Sequence, residues 1–243
     1  MLYGRNTVYE ALRAGRRQCS RLLIADSIRD SRTLDGIFRL ARSRRVPIER
    51  VRRRALDQLV AGNHQGIALE AGDFPYVDLD EILIQAYSHG SVPLLLLLDL
   101  LQDPQNLGSL LRTADATGVH GVILQERRAV GVTPSVVNAS SGAVEHLCVA
   151  QVTNLGTTID DLKTRGIWVA GLEATPKATR YDQADLTAPL ALVVGSEGQG
   201  LRRLVREKCD YLIALPMFGQ VASLNAAVAG SIVLYEVVRQ RTK

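Results

Sequence analysis

Two spacings of apolar residues alternate along the chain, and each predicts a different element. Short runs rich in Leu, Ile and Val, bounded by glycine or polar clusters, have the length and make-up of strands buried in a sheet. Segments whose apolar positions recur three and four residues apart predict helices with one buried face. On this basis the first part of the chain carries a strand over residues 21–25, a helix from about 32 to 44, a strand near 46–51, a helix near 54–60 and a strand over 66–70. The stretch AGDFPYVDLDEIL then changes character, because a glycine, a proline and four acids replace an arginine-rich pattern. It predicts a linker over 73–92 with room for a short helix.

The run LLLLLDL opens a second part, with further strands expected at 121–124, 147–152, 167–172, 190–195 and 211–215 and helices between most of them. The last segment, SLNAAVAGSIVLYEVVRQR, has small and apolar residues at helical spacing and predicts a long, largely buried helix. Strands and helices in alternation imply an α/β protein with a mainly parallel sheet. The expected division is a small α/β domain over 1–72 and a larger one over 93–243.

Composition supports a well-cored chain, since 47% of its 243 residues are hydrophobic. The net charge of +4 is unevenly placed. Residues 1–72 hold 15 Arg, no Lys and 7 acids, a surplus of +8, whereas the remainder is net negative at −4. Arginine's planar fork suits phosphates and guanine edges, so a nucleic-acid partner is favoured over a merely solvated helical face. Three cysteines, Cys19, Cys148 and Cys209, lie far apart without a C-x-x-C pair, which argues against a disulfide framework and a thiolate metal site and fits a reducing, cytoplasmic compartment. The first residues lack the apolar core of a signal peptide, and the most apolar run, 92–98, is too short to cross a bilayer. The histidines His64, His89, His120 and His146 show no metal spacing and read as turn or core residues.

Three constellations carry candidate chemistry. In DLLQDPQNLGSLLRTADATG a strand ends in a polar turn and opens a helix; Asp103 and Pro104 fit the cap and first position of that helix, which leaves Asn106 and Arg112 without a purely structural account. In LVVGSEGQGL an apolar strand runs into Gly195, Gly198 and Gly200 around Glu197. That spacing is neither the dinucleotide fingerprint nor a phosphate loop, so it fits a ligand-approaching loop and an ordinary tight turn equally. In IALPMFGQVASLNAAVAG a strand is followed by a loop and then by Ser223 and Asn225 at a helix start. Ser223 reads as the helix cap and Asn225 as a first-turn residue, or both grip a nucleotide or cofactor. Ser140, Ser141, Gly142 and Glu145 read as a turn, with lining the same site as the alternative.

In this order and at these spacings, DPQNLGSLLRTADATG, LVVGSEGQGL and LPMFGQVASLNAAVAG resemble three motifs of the SpoU/TrmH branch of the SPOUT methyltransferases. The likeness covers roughly residues 94–241, and the opening YGRNTVYEAL with NHQGIAL is similar to the L30e-like RNA-binding domain that precedes the catalytic domain in RlmB-type enzymes. The resemblance implies a trefoil knot in the second domain, which general topology rules would discourage. It implies S-adenosylmethionine bound in a bent form by Leu172 and Glu173, by Gly195 to Gly198, and by Leu215, Met217 and Leu224. It also implies a homodimer with a shared site, no metal, no membrane, and 2′-O-methylation of a guanosine in 23S ribosomal RNA, with tRNA as the alternative substrate.

Methyl transfer from a sulfonium needs positioning and a way to ease loss of the ribose proton. Arg112 matches the family arginine proposed for the latter. Because arginine holds its proton firmly, the expected role is contact with a phosphate beside the target ribose that lowers the cost of the alkoxide. Asn106, Glu197, Ser223 and Asn225 are expected to orient the nucleotide and loops. The competing readings are a non-enzymatic RNA-binding protein and a nucleotide-dependent oxidoreductase, the latter lacking its glycine fingerprint.

Overall fold

The computed structural model describes residues 1–88 and 90–242, so His89 lies outside the described residues. The chain folds as two compact units, one of Met1–Pro75 with Val132–His146, the other of Tyr76–Gly131 with Leu147–Lys243.

The elements of the first unit begin with β1 (Leu2–Tyr3), α1 (Arg5–Ala14), β2 (Cys19–Ala25), α2 (Arg32–Ser43), β3 (Ile48–Val51), α3 (Arg53–Leu59) and β4 (Ile67–Ala71). The strands form one mixed sheet in the order β1-β4-β2-β3, with β2 parallel to β3 and antiparallel to β4. Leu23, Ala25 and Ala68 of the sheet meet Leu56 and Val60 in one apolar cluster. Ser31 caps α2, its hydroxyl accepting from Leu34 N at 3.2 Å.

Two elements from the middle of the chain complete this unit: α6 (Pro134–Ala139) and the 3₁₀ turn Ala143–His146. Thr7 donates to Asn138 Oδ1 at 2.8 Å. Arg17 grips Glu145 with two bonds, Nη2 to Oε1 at 2.7 Å and Nε to Oε2 at 2.9 Å, and its guanidinium lies 5.0 Å from the centre of the Phe74 ring. Glu145 is therefore a buried, paired carboxylate that braces the first unit, and not part of a polar lining.

The second unit holds α4 (Leu79–Ser88), β5 (Leu94–Asp99), α5 (Pro104–Ala116), β6 (Gly121–Gln125), β7 (Val149–Val152), α7 (Leu155–Thr164), β8 (Trp168–Leu172), β9 (Thr179–Arg180), β10 (Leu190–Gly195), α8 (Arg203–Lys208), β11 (Tyr211–Ala214) and α9 (Ala226–Arg241). Seven strands form a parallel sheet in the order β7-β6-β5-β10-β8-β11-β9. β5 and β10 lie inside it and are buried at every position, which explains their unbroken apolar runs. Leu95, Leu97, Ile123, Val169 and Val193 share a core with Ile82, Ile159, Leu162 and Val205 of the helices. α9 packs on α5 and β10, and a Cβ on Gly230 would come within 2.9 Å of Leu110.

The α/β class and the mainly parallel sheet of the second unit agree with the expectation from sequence. Two details differ. The two-residue strands β1 and β9 carry no periodicity to read, and α9 is buried on one face only, leaving Val228, Ile232 and Tyr235 exposed. Among the described residues no group of His, Cys, Asp and Glu could hold a metal ion, and no helix is long and apolar enough to cross a membrane.

Candidate active site

Neighbouring parallel strands end side by side, so the segments leaving β5 and β10 emerge together. β5 stops at Asp99, whose buried carboxylate accepts from Arg202 N at 2.8 Å and from Arg202 Nε at 2.7 Å, while Arg202 Nη2 reaches Gln125 at 3.0 Å. This bonding pins the far end of the glycine loop to the strand beside its start. The loop turns back on itself, with Gly200 N donating to Ser196 O at 3.0 Å, and a Cβ on Gly195 would lie 2.3 Å from the Gly200 carbonyl. Position 195 must therefore be glycine, and Gly198, with φ of 77°, adopts a conformation that favours it as well.

Asp103 caps α5, accepting from Gln105 N at 3.3 Å and Asn106 N at 3.0 Å, and Pro104 occupies the first turn, as the sequence predicts. At α9 the expectation needs correcting. Asn225, not Ser223, is the cap, its Oδ1 accepting from Ala227 N at 2.9 Å and Val228 N at 3.2 Å. Both residue types cap well, and the helix simply begins two residues later.

The cap leaves the Asn225 amide nitrogen facing the other two loops. Asn225 Nδ2 donates to Glu197 Oε1 at 2.5 Å and to Asn106 Oδ1 at 2.8 Å, and Asn106 Nδ2 donates to the same Glu197 oxygen at 2.6 Å. One residue from each of the three motifs thus joins a closed hydrogen-bonded cluster. Asn225 spends both amide hydrogens in it and its carbonyl oxygen on the cap, whereas Glu197 keeps Oε2 and Asn106 keeps one N–H for a ligand.

Beside the cluster lies a cavity of about 310 Å³. Leu172, Glu173, Gly195, Gly198, Leu215, Met217 and Leu224 all line it, together with Glu197 and Ser223. Arg112 is not among the lining residues and lies exposed on α5, two turns after Asn106. The sequence reading missed Arg206, which donates to Glu173 Oε1 at 3.0 Å, and the Asp99–Arg202 anchor. An acid ending an all-leucine strand was the available signal for the latter, because a buried charge requires a partner.

Comparison with known proteins gives this geometry its context. The SpoU rRNA Methylase family model matches residues 93–235, and the model for RNA 2′-O ribose methyltransferase substrate binding matches residues 1–77. The chain belongs to the SpoU methylase family. A Bacillus subtilis protein, YacO, named for the TrmH family of tRNA/rRNA methyltransferases, is 44% identical over 238 residues, covering 98% of this chain and 94% of its own. The SpoU methyltransferase AviRb of Streptomyces viridochromogenes, crystallised with S-adenosylmethionine, superposes with a TM-score of 0.81 at 29% identity over 99% of this chain and 90% of its own. A TrmH/SpoU tRNA-modifying enzyme of A. aeolicus gives 0.56 at 28% identity over 63% of this chain and 77% of its own.

This SpoU-family chain is accordingly an RNA methyltransferase, and S-adenosylmethionine is its methyl donor. The cavity fits such a molecule. Glu173 Oε2 is buried without a hydrogen-bond partner among the described residues, an acceptor open to a ligand's donor. Ribose hydroxyls and an ammonium are donors of that kind, and two carboxylates on the lining suit a ligand that carries a sulfonium. Leu172, Leu215, Met217 and Leu224 give the lining an apolar surface, of the kind that an adenine ring would pack on.

Proposed function

We propose that the chain methylates the ribose 2′-hydroxyl of a guanosine in 23S ribosomal RNA, acting as a cytoplasmic homodimer. The observation that carries this reading is the Asn106–Glu197–Asn225 cluster at the edge of a cavity suited to S-adenosylmethionine. Leu172, Glu173, Gly195, Gly198, Leu215, Met217 and Leu224 hold the donor, and Asn106, Arg112, Glu197, Ser223 and Asn225 serve the acceptor. When bound, S-adenosylmethionine supplies a methyl group with its own leaving group, so the chain need only position the ribose and ease loss of its hydroxyl proton to solvent.

Glu197 Oε2 and the spare N–H of Asn106 orient the incoming nucleotide, while Asn225 holds both side chains in register. Arg112 contacts the phosphate beside the target ribose and lowers the cost of alkoxide formation. Its exposure on α5 leaves it accessible to a polynucleotide. The exposed apolar stripe Val228, Ile232 and Tyr235, at helical spacing along α9, supports a second copy seated on that helix. The arginine-rich residues 1–72 act in substrate capture, neutralising phosphates without reading sequence.

Ribosomal RNA is favoured over tRNA because the tRNA-modifying enzyme of A. aeolicus corresponds to only 63% of this chain. The test is methylation of purified 23S ribosomal RNA and bulk tRNA side by side, followed by mapping of ribose methyls. A guanosine ribose methyl in the ribosomal RNA alone is expected. Transfer to tRNA alone would overturn the substrate assignment.

A further inference from the structure

A second cavity, of about 440 Å³, lies in the first unit, lined by Arg5, Ser27, Ile28, Arg29, Arg53 and Gln65. Its three arginines do different work. Arg5 is spent on the fold: Nη1 donates to Ser31 Oγ at 2.8 Å and Nη2 to the Arg29 carbonyl at 3.0 Å, which ties down the loop between β2 and α2. Arg29 and Arg53 are exposed and have no ion pair or hydrogen-bonded side-chain partner among the described residues. Asp26 and Asp30 flank the same loop, yet neither pairs with either arginine.

Gln65 on the lining is flanked by hydrogen-bonded neighbours. His64 is buried, holds Asp57 through Nε2 at 2.9 Å and accepts from Gly66 N through Nδ1 at 3.0 Å. Gln65 between them sits at φ of 52°, a left-handed conformation uncommon for a residue with a side chain. Its Oε1 accepts from Arg5 N at 3.1 Å, which fixes the side chain and leaves both amide hydrogens to offer. Two free guanidinium groups, an amide NH₂ and the Ser27 hydroxyl make this cavity rich in donors, with Ile28 as its apolar patch.

We propose that this cavity holds one nucleotide of the RNA substrate by its phosphodiester, with Arg29 and Arg53 on the phosphate oxygens, Gln65 donating to the same nucleotide and Arg5 as the brace that sets their spacing. The volume falls in the range of pockets that enclose a small ligand, larger than a phosphate alone needs. The proposal rests on the reading of the first unit as the substrate-capturing part of an RNA methyltransferase.

The test compares the full-length wild-type protein with the Arg29→Gln/Arg53→Gln double variant and with an Arg39→Gln/Arg42→Gln control on α2. Each is titrated with an in-vitro transcript of 23S ribosomal RNA at several salt concentrations, and with S-adenosylmethionine by calorimetry. The double variant should bind RNA about tenfold more weakly per arginine removed, with a salt slope shallower by about one per arginine, and should bind S-adenosylmethionine as the wild type does. Wild-type RNA affinity and slope in the double variant, or an equal loss in the control, would overturn the assignment to this cavity. Absence of RNA binding by the wild-type protein, with S-adenosylmethionine binding intact, would instead overturn the underlying reading of the first unit and the proposal with it.

Discussion

The two cavities differ in the hydrogen-bonding groups they leave unused. The one in the second unit presents unsatisfied acceptors, Glu173 Oε2 inside and Glu197 Oε2 at its edge, while the one in the first unit presents the unused donors of Arg29, Arg53 and Gln65. Acceptors in a partly apolar cavity suit a sulfonium nucleoside with hydroxyl and ammonium donors; unpaired guanidinium groups suit phosphate. On the proposed reading, the second unit holds the methyl donor and the target nucleotide, while the free guanidinium groups of the first unit give the RNA backbone a further hold. This division accords with the +8 of residues 1–72 beside a remainder of −4.

Four changes probe this contrast. The largest effect is expected from Arg17→Ala, which strands the buried Glu145 carboxylate in the first unit and should destabilise it by about 3–5 kcal/mol. Thermal melting followed by circular dichroism checks this, and an unchanged transition would mean that the pair contributes nothing to the frame of the RNA-binding unit. Next, Asn225→Asp keeps the cap of α9 but removes both amide donors and sets a second negative charge against Glu197. Turnover should fall about 10²- to 10³-fold while the melting temperature stays near that of the wild type, a separation that a merely structural role would not produce.

Glu173→Gln should weaken S-adenosylmethionine binding about tenfold or more, read by calorimetry, and leave RNA affinity unchanged. Equal losses for both ligands would erase the distinction between the cavities. The smallest effect concerns alkaline pH. Burial pushes the Cys209 thiol and the Tyr211 hydroxyl each up to about 12, from ordinary values of 9.0 and 10.0. Both groups favour the protonated form when folded, so their contribution is intact below pH 9 and is lost as pH rises towards 12. A melting temperature that declines across that window is expected, and a flat profile would show that neither group ionises with unfolding.

Much of this was legible in the sequence because local physics governed it. The all-leucine run of β5, the strand before Gly195 and the Asp103–Pro104 helix start are each set by burial or capping within a few residues. The three motif residues Asn106, Glu197 and Asn225 were legible as candidates, but their mutual bonds span 28 to 119 positions and follow only from the parallel pairing of β5 and β10. The same holds for residues 132–146, which join the first unit through Arg17–Glu145 across 128 positions. Arg206 escaped notice because an exposed-looking helical arginine carries no local mark of the carboxylate it holds.

The Asn106–Glu197–Asn225 cluster, in this account, directs a methyl group to a ribose oxygen. The most direct test is incubation of the purified protein and Asn225→Asp with methyl-labelled S-adenosylmethionine and ribosomal RNA, followed by complete nuclease digestion and mass spectrometry of the nucleosides. The predicted result is a label recovered as a 2′-O-methylated nucleoside with the wild type and nearly none with the variant. A label on a base, or equal ribose labelling by both proteins, would contradict it.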